Sequence, residues 1–467
     1  MKKENFNRVL SKKDTLALSF GAMIGWGWVV LAGNWIKSAG TLGSIIAFLL
    51  GGIMVVFVGL TYAELTSAMP KCGGEHVFSK RALGKNASFV CTWAIILGYV
   101  SVVAFEAVAL PTVVEYLFPS YLKFKMYTIV GYDVYLTWAL VGIVASIIVT
   151  VFNYYGVKPL AVMQGAVTIM VGLIGLSFFG GAVANGSVQH IEPFFIDGMK
   201  GILTVAIMTP FMFVGFDVIP QAAEEIDMPF DQLGKLLITS VLMAIVWYIM
   251  IIVGVGLALP KSALETSSIA AADGMRAVFF NSSWASKAMI IAGIGGIITS
   301  WNSFFVGGSR AIYALAESGQ LPPFLAKLHP KYKTPTNAVL LIGILSSLAP
   351  LFGRPMLVWL VNAGGLTIVL AYFMVALSFL VLRYREPEMP RPYKIKNGKI
   401  VGYIASALSL GMILLYLPAA PAALVWPYEW MIIIGWSVLG AIFFVSNKLY
   451  SVETTVDQSV LEGSETI

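Results

Sequence analysis

The chain has 467 residues, of which 58% are hydrophobic and 12% charged, and its formal net charge is +6. A soluble domain carries about 25% charged residues, and half that proportion cannot cover the surface of a soluble protein of this length. Composition therefore excludes a soluble enzyme and a disordered or fibrous protein, and it indicates a protein embedded in lipid. The basic residues lie in short loops between apolar segments, which argues against a nucleic-acid partner and is typical of membrane topology signals.

Twelve apolar segments predict membrane-spanning helices, called spans 1 to 12 below. Each is continuously apolar rather than alternating, which is typical of helices and not of barrel strands. An even number puts both termini on one side, and 22 of the 30 lysines and arginines fall on that side, which indicates cytoplasmic termini. The spans are predicted at residues 15–38, 43–69, 88–117, 134–154, 157–184, 199–227, 233–258, 285–316, 336–352, 356–383, 400–418 and 428–447.

The spans divide the chain into five parts. A cytoplasmic segment (1–14) is followed by a first block of five spans (15–184) and a second block of five spans (199–383). Two further spans (400–447) and a cytoplasmic tail (448–467) complete the chain.

Glycines interrupt the first span of each block. Span 1 contains Gly21-Ala-Met-Ile-Gly25-Trp-Gly27, and span 6 contains Phe213-Val-Gly215-Phe-Asp217. Such interruptions at corresponding positions of two halves indicate the substrate site of an inverted-repeat transporter. The amides that follow a break in span 1 are suited to an anion such as a carboxylate, and freed carbonyls are suited to an ammonium group or a cation. The alternative is that these glycines only allow close helix packing.

Four longer motifs appear in order along the chain: GAMIGWGWVVLAG, YAELTSAMPKCGGEHVFSKRALG, FMFVGFDVIPQAAEEIDMP and GSRAIYALAESGQLPPFLAKLHPKYKTPTNA. They resemble the G-x-x-I-G-x-G-I-F, E-L-x-x-x-x-P-x-x-G-G-x-Y, F-x-G-F-D/E and G-x-R-x-x-Y-A-x-A-x-x-G-x-x-P signatures of the amino acid-polyamine-organocation (APC) superfamily of permeases. The resemblance covers residues 12–400.

This resemblance implies an all-α membrane protein with twelve transmembrane helices. Five plus five of them would form a LeuT-like inverted repeat, with helices 1 and 6 broken and two extra helices at the C-terminus. By the same resemblance, the amides of Gly25, Trp26 and Gly27 would bind a substrate carboxylate beside the span 6 break at Gly215. The carbonyls of Met23, Ile24, Phe211 and Val214 would bind its ammonium group. Trp26 stands where the family has a small residue, so its indole either narrows the pocket or packs between helices.

Acidic residues within spans are functional candidates because a charge at bilayer depth is costly. Asp217 could bind a substrate amine, carry a proton, or only cap the amides freed by the break. Glu106 in span 3 could line the pathway or bond to hydroxyls on another helix, and burial favours its protonated form. Glu64, near the end of span 2, is predicted to be an anchor for a basic loop.

Two further sets of residues are candidates for gating and for cation binding. Glu224 and Glu225 could form gate ion pairs with Arg310. Thr299 and Ser300 could form a sodium site with the carbonyls of Gly21 and Ile24, since hard cations take oxygen ligands; the alternative is hydrogen bonding between helices. Proton-coupled relatives have a lysine about thirteen residues after a G-V-K motif, by the same resemblance, but that position here falls at Met170-Val171.

These patterns predict a permease of the cell inner (plasma) membrane that moves amino acids by alternating access, as proton-coupled symport or exchange. The alternative is an amine transporter of the same fold, for ethanolamine or a polyamine, or a channel. The chain lacks the GxxxxGK(S/T) loop of an ATP-driven pump and the HExxH and GxSxG motifs of hydrolases. We therefore expect no enzyme activity, cofactor or resident metal. The expected partners are an amino acid or amine, a proton or sodium ion, and the lipid bilayer; no oligomeric state is predicted.

Overall fold

The computed structural model describes residue 8 and residues 10–156 and 158–464, and this part of the chain is mostly helical, with one β-hairpin. Most of the predicted N-terminal segment, the first residue of span 5 and residues 465–467 of the tail lie outside the described residues. The hairpin pairs β1 (Lys125–Ile129) with antiparallel β2 (Tyr132–Tyr135). The helices are α1 (Lys12–Met23), α2 (Gly27–Val30), α3 (Ala32–Ala68), α4 (Glu75–Leu83), α5 (Lys85–Leu117), α6 (Leu136–Tyr155), α7 (Lys158–Asn185), α8 (Gly198–Ala206), α9 (Thr209–Phe213), α10 (Val218–Gln221), α11 (Phe230–Ala258), α12 (Lys261–Thr266), α13 (Ala270–Val278), α14 (Ser283–Glu317), α15 (Thr336–Leu348), α16 (Met356–Arg385), α17 (Gly398–Tyr416) and α18 (Tyr428–Ser464).

Ten helical segments in the described part of the chain are long and apolar enough to cross a membrane, so the protein is a multi-pass membrane protein. The two predicted spans without such a helix are spans 1 and 9. Span 1 is divided among α1, α2 and the start of α3. Span 9 is the short helix α15, which follows Pro335 and gives way to a 3₁₀ turn that contains Pro350. Proline cannot continue a regular helix because it lacks the N–H group and clashes with the preceding turn.

Gly40 separates the two arms of α3, which the sequence predicted as the end of span 1 and all of span 2. Its φ of 77° is outside the helical range, and glycine adopts such values without steric cost. A side chain here would also collide with the backbone of Pro193 and Phe194. The chain therefore turns at this glycine, between the predicted spans.

Burial distinguishes central from peripheral helices. The most apolar stretches of α5 and α14 are almost entirely enclosed by protein, whereas those of α6, α7, α17 and α18 are one-third buried or less. The exposed residues of the peripheral helices are themselves apolar, as at Ile147 and Leu173. This distribution suits a helix bundle surrounded by hydrocarbon. Its buried central helices, α5 and α14, carry polar residues such as Glu106 and Thr299.

A buried ion network joins α3 to the loop after α16. Glu64 Oε1 lies 2.9 Å from Arg391 Nε, and Glu64 Oε2 accepts hydrogen bonds from Arg383 Nη2 and from the amide of Ile395 at 2.8 Å. Glu64 thus anchors a basic loop, as the sequence predicted. A buried carboxylate is tolerated when paired and hydrogen-bonded in this way.

The start of α1 is tied to the segment after α10. Leu10 N donates to Glu225 O at 3.0 Å, and Asp227 N donates to Leu10 O at 2.9 Å. Directly after Leu10, Ser11 and Asp14 form a reciprocal capping box that fixes the first turn of α1. We call the two backbone hydrogen bonds at Leu10 the Leu10 bridge.

Candidate functional site

The first helix break lies between Met23, the last residue of α1, and Gly27, the first of α2. Its carbonyls have found donors within the protein. Met23 O accepts a hydrogen bond from the Tyr248 hydroxyl at 2.6 Å, and Ile24 O accepts one from Trp28 Nε1 at 3.2 Å. Each of these two predicted ammonium ligands thus has one donor within the protein, and each oxygen retains a second lone pair.

The second break lies between Phe213, the end of α9, and Val218, the start of α10. Gly215 has a φ of 137°, and a side chain there would lie 3.0 Å from Met23 N and 2.8 Å from Ala22 Cβ. The two breaks are thus in direct contact, and only a glycine allows this approach.

Asp217 holds the second break in shape. Its Oδ1 accepts a hydrogen bond from the amide of Gly215 at 2.8 Å, and the residue is fully buried. The satisfied amide lies in the break itself, two residues before Asp217, and not in the following half-helix. Asp217 Oδ2 has no hydrogen-bond partner in the described part of the chain, so part of the carboxyl remains available.

Tyr248 of α11 links the two breaks. Its hydroxyl lies 2.6 Å from Met23 O and 3.1 Å from Met212 O, and it donates toward both carbonyls. One proton therefore serves a backbone acceptor from each broken helix. Gly27 adds a second contact between these helices, because a side chain there would reach Met212 Sδ at 2.8 Å.

Glu106 of α5 lies against the first break. Its Oε1 accepts a long hydrogen bond from Trp26 N at 3.4 Å, and a side chain at Gly25 would collide with this carboxyl and with Ser300 Oγ. Glu106 Oε2 has no partner among the described residues. The carboxyl therefore occupies the amide end of α2, where the sequence placed the carboxylate of a substrate.

Aromatic residues close the sides of the site. The Trp26 ring sits in a notch at Gly293 of α14, where an added side chain would collide with it, and its Nε1 lacks a partner within the described structure. The Trp26 ring thus packs between helices, which was one of the two alternatives predicted for it, while its N–H group has no acceptor among the described residues. Phe211 packs with a ring-centroid distance of 5.5 Å to Phe105, and Val214 ends α9 in an extended conformation.

Only part of the predicted cation set is brought together. Thr299 Oγ1 lies 3.1 Å from Gly21 O and donates to it. Ser300 instead faces Gly25 and Glu106, and Ile24 O is bound by Trp28. The alternative prediction, hydrogen bonding between helices, describes the contact of Thr299 in this structure.

Gln164 of α7 fills the space beside this contact. Its Nε2 donates to Ala17 O at 3.3 Å, to Thr299 O at 3.4 Å and to Ser303 Oγ at 2.8 Å. Its Oε1 accepts from Asn302 Nδ2 at 3.2 Å. An amide N–H group is a donor and cannot ligate a cation, so Gln164 Nε2 occupies these oxygens with hydrogen bonds, while Asn302 Oδ1 has no hydrogen-bond partner among the described residues.

A buried ion pair marks the predicted gate. Arg310 Nε lies 2.6 Å from Glu225 Oε1, and Arg310 Nη2 lies 3.1 Å from Glu225 Oε2, a bidentate geometry. Glu224 instead lines a surface cleft with Lys71 and His76.

Sequence reasoning missed three buried polar residues near the breaks: Tyr248, Gln164 and Glu75. Glu75 begins α4 and accepts a hydrogen bond from Gln221 Nε2 of α10. Its place in a glycine-rich loop outside the predicted spans carries no signal of burial. Of these three residues, only Gln164 could have been recognised from the sequence, because a side-chain amide inside an apolar span needs a hydrogen-bond partner in the bilayer. Tyrosine is common in spans near interfaces, so Tyr248 gave no distinct signal.

Comparison with known proteins identifies the family. The family model described as amino acid permease matches residues 10–444. The chain belongs to the amino acid permease family. It is an APC superfamily permease, and its family and relatives are transporters rather than enzymes.

Three relatives from Bacillus subtilis (strain 168) resemble the permease over most of its length. It is 28% identical to the branched-chain amino acid permease BcaP over 88% of each chain. It is 25% identical to the methylthioribose transporter over 96% of this chain and 95% of the relative. It is 26% identical to the aspartate-proton symporter over 86% of this chain and 78% of the relative.

Proposed function

We propose that this permease is a secondary active transporter that carries amino acids across the plasma membrane by alternating access, as proton-coupled symport or exchange. The observation that carries the proposal is the contact between two broken helices, with Tyr248 bridging Met23 O and Met212 O. Broken helices expose backbone groups that a polar ligand can use. Two of the relatives named above, an amino acid permease and an aspartate-proton symporter, support this substrate class.

The proposed architecture has twelve spans with cytoplasmic termini and a five-plus-five inverted repeat. In it, α1–α2 corresponds to α8–α10, and the pairs α3 with α11, α5 with α14 and α6 with α15 are related. The packing supports this pairing, because each of these three pairs is in close contact. Spans 1, 2, 6 and 7 would then move against spans 3, 4, 8 and 9.

The proposed substrate site uses both breaks. The amides of Gly25, Trp26 and Gly27 would bind the substrate carboxylate at the start of α2. The carbonyls of Phe211 and Val214 would bind the ammonium group, because the end of α9 no longer supplies them with helical N–H donors. Glu106 must be protonated or turn away for a carboxylate to bind, since two carboxylates at one site repel each other.

Glu106 also supports a second candidate, an amine transporter. An ionised carboxyl at the amide end of α2 would repel an amino acid and attract an amine without a carboxylate. Its free Oε2 is a suitable acceptor for an ammonium group.

The test is counterflow in proteoliposomes. Purified permease is reconstituted in liposomes preloaded with unlabelled substrate, and uptake of labelled neutral, basic and acidic amino acids and of simple amines is measured. We expect an amino acid to be transported, and Glu106→Gln to retain this transport because a neutral amide does not repel a carboxylate. Transport of amines alone, abolished by Glu106→Gln, would support the second candidate.

Glu115→Gln is the matched control, because Glu115 lies at the end of the same helix and accepts a hydrogen bond from Trp138 Nε1. It should transport like the unmodified protein. Absence of counterflow for every amino acid and amine, with folded protein in the liposomes, would refute the proposed function.

A further inference from the structure

A second group of buried polar side chains lies beside the second break, around Asp217 and the start of α4. It consists of two acids, three tyrosines and an amide: Glu75, Asp217, Tyr62, Tyr99, Tyr372 and Gln221. All six are fully buried. We call this group the carboxyl cluster.

The two acids are held close together by α10. Gln221 Nε2 donates to Glu75 Oε2, and an added side chain at Gly74 would lie 3.0 Å from Pro220 Cβ and 3.4 Å from Gln221 N. The start of α4 therefore lies directly against α10, and Asp217 immediately precedes this helix.

Each acid has one satisfied oxygen and one unused oxygen. In the described structure, Glu75 Oε1, Asp217 Oδ2 and Gln221 Oε1 have no hydrogen-bond partner. Acceptors buried without a donor are costly, and all three lie in the same small region. The geometry thus leaves acceptor capacity for a proton donor inside the carboxyl cluster.

Tyrosines from three helices face the two acids. Tyr62 of α3 is directed at Glu75, while Tyr99 of α5 and Tyr372 of α16 are directed at Asp217. None of the three hydroxyls completes a hydrogen bond of good geometry among the described residues. They can orient toward whichever carboxyl is ionised, as buried polar networks do.

Other ionisable groups around the carboxyl cluster are a thiol, an imidazole and a guanidinium. Besides the tyrosines, the Cys91 thiol of α5 faces Glu75. His76, the next residue along α4, lies 2.8 Å from the Ser88 hydroxyl through its Nδ1. Arg310 of α14 binds Glu225 in the bidentate pair.

Electrostatics favours a bound proton in the carboxyl cluster. Burial raises the pKa of Glu75 well above its usual range, and the nearby carboxyl of Asp217 raises it further. Two buried carboxyls that raise each other's pKa are costly to ionise together, so the pair favours the binding of one proton.

We propose that Glu75 and Asp217 together form the site of the coupling proton, which binds and leaves once in each transport cycle. This inference rests on the proposed transport function. Asp217 Oδ1 holds the amide of Gly215, so the charge of the pair acts on the same break that supplies the carbonyls of Phe211 and Val214. The protonation state of the pair and the geometry of the substrate site are therefore linked.

A route for the proton lies beside α4. His76, which follows Glu75 in α4, lines a surface cleft together with Lys71 and Glu224. Gly73 and Gly74 before α4 have φ values of 101° and 36°. Movement of α4 away from α10 would separate Gln221 from Glu75 and expose this carboxyl to the cleft.

The test separates proton movement from substrate movement. Proteoliposomes with an external pH dye are used to measure counterflow of the labelled amino acid and, separately, substrate-dependent proton flux. We expect Glu75→Gln to keep counterflow, which needs no net proton movement. Its proton flux should fall about tenfold or more, because an amide does not titrate in this pH range.

The control is Glu388→Gln, which removes an exposed carboxyl in the loop after α16 and should leave both measurements unchanged. Asp217→Asn should lose proton flux like Glu75→Gln. If the Glu75 variant does not fold, calorimetry of amino acid binding by the unmodified protein, in two buffers of different ionisation enthalpy, measures the protons exchanged.

Three outcomes decide the matter. Normal proton flux in Glu75→Gln would overturn the proposal, and so would counterflow by the unmodified permease without any substrate-dependent proton exchange. In both cases the proposed amino acid transport would stand. Absence of counterflow in the unmodified permease would instead refute the transport function itself.

Discussion

Gly296 is the residue at which α14 approaches the first break most closely. An added side chain would lie 2.7 Å from Ile24 O and 2.8 Å from Gly25 O. Both neighbours are backbone atoms, which cannot rotate away as a side chain can. The break can lie this close to α14 only because residue 296 has no side chain.

We expect Gly296→Ala to disturb both stability and transport. Overpacking of this kind costs about 1–3 kcal/mol, and the displaced break would lose substrate counterflow. Thermal unfolding in detergent and counterflow in liposomes measure the two effects. The control is Gly172→Ala in α7, where an added side chain meets nothing within 4 Å. Unchanged stability and transport in Gly296→Ala would show that this close approach is dispensable.

A second prediction at this scale concerns His76. Burial lowers the pKa of His76 to about 4, whereas an unfolded histidine has a pKa of about 6.5. Between these values the unfolded chain binds more protons than the folded one. The free energy of unfolding should therefore fall as the pH drops below 6.5, by a total of about 3 kcal/mol near pH 4.

Chemical unfolding in detergent between pH 7.5 and 4.5 measures this loss. His76→Asn keeps a polar atom near Ser88 but has no group that titrates in this range, so its stability should depend less steeply on pH. An equal slope in both proteins would assign the pH dependence to other groups.

The sequence alone was sufficient for some of these residues and not for others. The sequence alone identified the glycines of both breaks and Asp217, because a helix break depends on local residues of this kind. Tyr248 and Gln164 reach partners on other helices, 225 residues away for Met23 and 139 for Ser303. Such contacts depend on helix rotation and packing, which local sequence does not encode.

Helices and their boundaries illustrate the same division at the scale of elements. Continuous apolarity predicted most spans because each backbone group in lipid must be bonded within its helix. The division of span 1 among three helices was not predicted beyond its break. The kink in α3 at Gly40, between spans 1 and 2, was likewise not predicted; there the backbone of Pro193 and Phe194 lies against the glycine, a contact between distant parts of the chain.

The ion pair between α14 and the turn after α10 provides a prediction for these elements. Glu225→Gln would leave the buried Arg310 guanidinium without its bidentate carboxylate, and removal of one partner from a buried pair costs about 3–5 kcal/mol. The matched control is Glu386→Gln, because Glu386 pairs with Arg81 at a largely exposed position, where the cost is about 0–1 kcal/mol.

Thermal unfolding of both variants in the same detergent gives the comparison. If the pair is also a gate, Glu225→Gln should change the rate of counterflow while Glu386→Gln should not. Equal stability of the two variants would mean that Arg310 finds equivalent partners elsewhere.

At the scale of the whole molecule, polarity increases from the periphery to the centre. The outer helices present apolar side chains, and unpaired buried acceptors such as Glu106 Oε2 and Asp217 Oδ2 lie beside the two breaks. Composition predicted the lipid setting, because so few charges cannot cover a soluble surface. It could not predict the carboxyl cluster, whose members come from α3, α4, α5, α10 and α16.

The Leu10 bridge has a consequence for how the broken helices can move. Its two hydrogen bonds join the residue before the cap of α1 to the turn after α10. The ends of both broken helices are thereby fastened at one point, so neither can tilt alone while the bridge holds. The two helices therefore tilt together, and a displacement at one break moves the other break as well.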